Sequence, residues 1–168
     1  VIRKLLNRIF SKQKKQKCEP NEIVSIKKNY REKDLLLKKI QDYSLSVLLG
    51  KSRAVNVIVV HSSNSNGHEI RNLDDAELFF KEKFTKKIVY SNGYIPYHFL
   101  ITQDGRIYET MSLSAPAIGV KGHLNDGVSI CCIGKDKSNE QKESVSWLIS
   151  SLKDYLGVSN IINDNEYK

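Results

Sequence analysis

Residues 55–65, VNVIVVHSSNS, decide the fold. An apolar run rich in β-branched side chains, closed by a Ser/Asn cluster, reads as a buried strand whose C-terminal end delivers His61 to an edge of a sheet. Two later stretches extend the pattern. In residues 96–109, PYHFLITQDGRIYE, the segments 97–102 and 106–109 flank a turn holding Asp104-Gly105, which is a hairpin signal. In residues 118–134, IGVKGHLNDGVSICCIG, a glycine-punctuated loop feeds a strand expected over 128–133.

Around this centre the charge is uneven. The chain of 168 residues carries a formal net charge of +8, and residues 1–50 hold thirteen Lys/Arg against five Asp/Glu. Residues 51–168 hold fourteen of each, so the globular part is neutral and an anionic partner meets mainly the first fifty residues. Residues 1–17 place Val1, Ile2, Leu5, Leu6, Ile9 and Phe10 on one helical stripe with Arg3, Lys4, Arg8 and Lys12 opposite. Such a basic amphipathic helix docks on a membrane surface or a protein partner, or packs on its own domain with a solvated basic face. The run SKQKKQK that follows has no interleaved aromatics for base stacking, so no specific nucleic-acid partner is expected.

The same residues interrupt any signal-peptide core, and no apolar run approaches the roughly 20 residues that span a bilayer. Neither a signal peptide nor a transmembrane segment is therefore expected. The chain begins on Val1, which suggests a processed or trimmed start. Cys18, Cys131 and Cys132 form no disulfide framework, and the last two, adjacent on a strand, read as small core residues.

The remaining elements follow from periodicity and caps. Pro20 breaks the chain, and residues 22–49 read as one or two helices ended by Gly50. Asn72 is placed as an N-cap, with Asp74 and Asp75 in the first turn of the helix it opens. Ser138 and Gln141 have capping-box spacing ahead of a long helix with Gly157 at its C-cap, and Ile161-Ile162 reads as a short strand. The fold expected is α/β, a mixed central sheet flanked by helices, with residues 1–50 as a basic helical extension and 51–168 as the main domain.

Together the three blocks resemble the zinc-dependent N-acetylmuramoyl-L-alanine amidases, the family of phage lysozyme-type amidases and peptidoglycan recognition proteins. The matching pieces are His61-Ser62-Ser63, Pro96-Tyr97-His98-Phe99, Asp104-Gly105 and Lys121-Gly122-His123 followed by Val128-Ser129-Ile130-Cys131. The resemblance implies a zinc that activates water and polarises an amide carbonyl, held by three protein ligands with one open position. It implies His61 as the first ligand and Tyr97 as the catalytic tyrosine. It also implies a substrate groove bordered by the 90–96 loop, with Tyr94, Lys121 and His123 as substrate contacts.

The family's second His and third ligand have no counterpart here. No histidine follows His123, Gly119 and Leu124 replace two signature polar residues, and Asp164 is the substitute ligand that the spacing offers. With those partners missing, the alternative reading of His61 as a hydrogen-bonded strand-end residue is favoured. His98 alternates with Tyr97, so the two face opposite ways, and the resemblance implies a structural place in the core for His98.

Three functions are thus open. One is an endolysin-like hydrolase of the muramoyl–alanine amide bond, its zinc site completed by Asp164, by a segment beyond Lys168 or by a partner. Another is a metal-free pseudoenzyme that binds peptidoglycan or muropeptides. The last is a bacteriophage virion or lysis component that keeps the scaffold and docks through its basic helix.

Overall fold

The computed structural model describes residues 20–163, apart from 66–69, 85, 90, 92, 119 and 121, with side chains from residue 32 onward. The basic stripe of residues 1–17, Lys121 and Asp164 lie outside the described residues. The chain divides into two compact units, Val1–Asp34 and Leu35–Lys168. The described part of the first is helical from Pro20.

Where the sequence left one or two helices open, a single helix, α1, runs over Pro20–Leu48. Proline begins it comfortably because the first helical position has no intrahelical use for an N–H. Its end is a Schellman closure: Gly50 takes φ +67°, its N–H reaches Val47 O at 2.9 Å, and Lys51 N–H reaches Ser46 O at 2.9 Å.

Five strands and two more helices follow: β1 (Val57–Ser62), α2 (Leu73–Lys83), β2 (Phe99–Ile101), β3 (Ile107–Glu109), β4 (Gly127–Cys132), α3 (Asn139–Leu156) and β5 (Asn160–Asn163). The sheet order is β3-β2-β4-β1-β5. All pairings are parallel except the β2–β3 hairpin. This is the expected mixed α/β sheet. β1 takes in His61, as expected, and runs one residue further to Ser62, because both continue the ladder, opposite Cys131 and Cys132.

Alternation along the strands separates two cores. On one face Ile58, Val60, Phe99, Ile101, Ile130 and Cys132 meet Leu36, Ile40 and Tyr43 of α1 and Leu148 and Leu152 of α3. On the other, Leu100, Cys131 and Ile133 meet Ala76 and Phe80 of α2. The loop residues Ala117 and Val120 cover Val57 and Val59 on the remaining part of the sheet. The caps form as the sequence implied: Asn72 accepts from Asp75 N–H at 2.9 Å, Ser138 and Gln141 make a reciprocal capping box, and Gly157 closes α3 at φ +67°. No helix among the described residues is long and apolar enough to cross a membrane.

Candidate functional site

The parallel register puts His61, Cys131 and Leu100 side by side on the face that α2 covers. His61 closes β1 and is 7% exposed. Its ring lies 5.1 Å from that of Tyr97, tilted by 49°, and Tyr97 in turn meets Phe80 of α2 edge-on at 5.6 Å. Tyr97 is held from behind, since Thr110 Oγ1 donates to its carbonyl at 2.6 Å. The strand-end imidazole and the phenol named from the sequence therefore share one site, braced by aromatic packing of the offset kind that such rings prefer.

His98, one residue on, points the other way into a sealed polar knot and is 0% exposed. Ser129 N–H donates to its Nδ1 at 3.1 Å, so Nδ1 is the acceptor and Nε2 carries the proton, which goes to Ala115 O at 3.1 Å. Ser129 Oγ is also 3.0 Å from Nδ1. Arg53 stands over the same ring, its Nη2 3.2 Å from Nε2, and donates to the carbonyls of Leu113, Asn125 and Gly127 at 2.9, 3.1 and 2.9 Å. Burial pushes the His98 pKa down to about 4; the Ala115 carbonyl opposes this, and the Arg53 charge adds to it. Burial also lowers the Arg53 pKa from the ordinary guanidinium value. A neutral imidazole with both nitrogens engaged fastens β2 to β4 and to the 113–127 loop. It has no part in chemistry.

The other candidates are dispersed. Tyr94 lines a cavity of about 450 Å³ with Glu77, Lys87, Ser91, Glu109 and Thr110. Its backbone N–H is clasped by Glu77 Oε2 at 2.8 Å, and the Lys81 ammonium lies 5.9 Å from its ring centre. His123 pairs with Asp126 Oδ1 at 3.2 Å, and its carbonyl accepts from Gly127 N–H where β4 begins. Gly127 is level with Val57, four residues before His61, so at ~3.3 Å per residue His123 belongs to the opposite end of the strands, roughly 13 Å away along β1. Nothing describes Lys121 or Asp164.

Two features escaped the sequence reading. One is Arg53, whose contacts with the 113–127 loop and His98 no local pattern announces. The other is the set of three lysines, Lys135, Lys137 and Lys142, that line a recess of about 370 Å³ containing His61. The signal was Lys-Asp-Lys directly after Gly134 at the end of a strand, where ligands of parallel sheets are received.

Cys131 and Cys132 are both buried, and burial raises the Cys132 thiol to about 11. A thiol held protonated at neutral pH is packing, as the sequence suggested. For zinc, the described residues offer His61 but no companions: among them no group of three His, Cys, Asp or Glu side chains is placed to hold a metal ion. They do not make up the three-ligand site that the resemblance implies.

The fold and site define a mixed-sheet α/β protein of the kind that receives ligands at strand ends, with a histidine and a tyrosine side by side where β1 ends. Residues 51–165 match the family model described as N-acetylmuramoyl-L-alanine amidase, and the chain belongs to that family. In structure it is similar to the endolysin amidase LysCS of Clostridium intestinale, with a TM-score of 0.54 at 19% identity over 69% of this chain and 72% of that one. It is also similar to peptidoglycan recognition protein SA of Drosophila, with a TM-score of 0.53 at 21% identity over 68% and 69%. A third similar structure is an ectodomain complex of peptidoglycan recognition proteins LCa and LCx bound to tracheal cytotoxin, with a TM-score of 0.54 at 19% identity over 69% and 74%. No curated protein matches the chain in sequence.

Proposed function

We propose that this chain is a peptidoglycan-directed protein that grips the junction of sugar and peptide on the face shared by His61 and Tyr97, and that it holds this ligand without cutting it. The observation that carries the reading is the ring pair, 5.1 Å between centroids at the end of β1, in a chain of amidase lineage. An aromatic ring beside an imidazole offers a stacking surface for a sugar and polar atoms for an amide, and neither task needs a metal. The complex of similar fold with tracheal cytotoxin supports a muropeptide as the ligand.

Hydrolysis of the N-acetylmuramoyl-L-alanine bond is the second reading, favoured by the register of β5. That strand ends with Asn163 opposite Val60, one step before His61, and the next residue in sequence is Asp164. Asp164 remains the ligand proposed for a zinc shared with His61. Lys121 and His123 remain proposed substrate contacts, as does Tyr94.

Sedimentation of the full chain with insoluble cell-wall sacculi tests both readings. Wild type is expected to pellet with the sacculi, and a His61→Ala/Tyr97→Ala protein to stay largely in solution. Sacculi left intact by a protein free of metal support binding. About one zinc per chain, together with released stem peptides, both abolished by Asp164→Asn, would establish the amidase instead. Wild type that never pellets defeats both.

A further inference from the structure

The recess beside His61 has a charge that the rest of the domain does not prepare for. Residues 51–168 carry equal numbers of basic and acidic side chains, yet among the described residues Lys135, Lys137 and Lys142 line this recess against one carboxylate, Asp136. Asn64 and Asn163 complete the polar lining. The place is the carboxyl rim of β1, β4 and β5, where the loops of a parallel sheet open to ligands.

The loop that bears Lys135 and Lys137 is fixed from three sides. Ser62 Oγ donates to Gly134 O, and Gly134 N–H donates to Ser63 Oγ at 2.9 Å. Gln103 Nε2 reaches Ile133 O at 2.7 Å and Asp136 O at 3.3 Å, while Gln141 of α3 also donates to Ile133 O at 2.9 Å. Gly134 sits at φ +110°, and a Cβ there would come within 2.3 Å of the Gln103 amide. Four side chains and a required glycine therefore hold a loop that presents Lys135 and Lys137, with Asp136 between them. Holding them in advance lowers the ordering cost of binding an anion.

We propose that this recess is a carboxylate site, which takes the free carboxyl groups of a peptide stem whose sugar end lies on the His61–Tyr97 face. The assignment of the stem rests on the peptidoglycan reading above; the anion site itself does not. Lysine ammonium groups are compact point charges on flexible stems, and three of them at separate positions round the recess suit a ligand that carries more than one carboxylate. His61 lines the same recess, so one ligand can reach both features without a bend.

The test follows backbone amide resonances of Ser62, Gly134 and Lys137 while three probes are added to the full chain: a stem tetrapeptide with free carboxylates, the same peptide fully amidated, and inorganic phosphate. The free peptide is expected to give saturable shifts that weaken with salt. Lys135→Gln/Lys137→Gln/Lys142→Gln, all at exposed or half-exposed positions, is expected to bind it about tenfold or more weakly. The amidated peptide should bind wild type no better than it binds the variant. Equal binding of the free peptide by wild type and variant, or no shift in wild type, overturns the site. Phosphate binding as tightly as the peptide overturns its assignment to carboxylates. Saturable peptide binding in a protein that ignores sacculi leaves this site standing and defeats the peptidoglycan reading alone.

Discussion

His61 and His98 stand on either side of β4, one closing β1 and the other just ahead of β2, and the surroundings give them opposite properties. His98 has Ser129 and Ala115 on its two nitrogens and the Arg53 guanidinium beside it. His61 has an aromatic flank and the wall of a recess open to solvent. An imidazole whose every polar atom is committed inside the protein is a structural fastener. One that flanks a tyrosine and lines a recess with three lysines is placed to meet a ligand. Residue type is alike in the two cases; the place on the strand and the neighbours decide.

The largest expected effect breaks the fastener. His98→Phe fills a similar volume but strands the Ser129 N–H and hydroxyl and the Ala115 carbonyl in a dry interior. The expected loss is about 3–5 kcal/mol of stability, from several buried groups left unsatisfied at ~1–3 kcal/mol each with partial relaxation. His61→Phe is expected to cost less than about 1.5 kcal/mol, because ring packing on Tyr97 survives. Urea unfolding of the two variants measures both. Equal losses would erase the distinction between a fastener and a ligand-facing residue.

Much of the fold can be read from local signals in the sequence. The β-branched run of β1, the Asp104-Gly105 turn, the Asn72 cap and the Ser138/Gln141 box each lie within a few residues of the structure they dictate. The alternation of Tyr97 and His98 also showed that the two point to opposite faces. What periodicity does not encode is contact at a distance. Arg53 meets carbonyls at positions 113, 125 and 127, and no pattern near residue 53 announces them. The lysine recess is likewise assembled by the sheet order, which places the end of β5 beside β1 and the loop after β4 next to both. The helix α1 ran on as one element because the middle of the segment holds neither Gly nor Pro to stop it, and its second half is anchored by Leu36, Ile40 and Tyr43.

A pH titration sharpens the comparison with a smaller effect. In the unfolded chain a histidine takes up its proton near the ordinary 6.5, whereas folded His98 waits until about 4. Between those values the unfolded state binds more protons, so the contribution is fully present above pH 6.5 and is lost as pH falls towards 4. The ceiling is about 3 kcal/mol, since each pKa unit is worth ~1.4 kcal/mol. Urea midpoints of wild type and His98→Asn, taken across this window, should converge as the pH drops. Parallel curves would mean that the buried imidazole is not held neutral.

The smallest expected change in stability comes from Tyr97→Phe, and it bears most directly on what the exposed side of the comparison is for. The substitution keeps the ring that packs on Phe80 and His61 and keeps the backbone carbonyl that Thr110 holds. Only the hydroxyl goes, at a cost within about 1 kcal/mol. If the face serves only to bury apolar surface, sacculus binding should be unchanged along with stability. If the phenol meets ligand, binding should weaken severalfold while stability falls by no more than the worth of one hydrogen bond, about 1 kcal/mol. A fall in binding that merely tracks lost stability would place Tyr97 with His98, among the side chains that hold the sheet together.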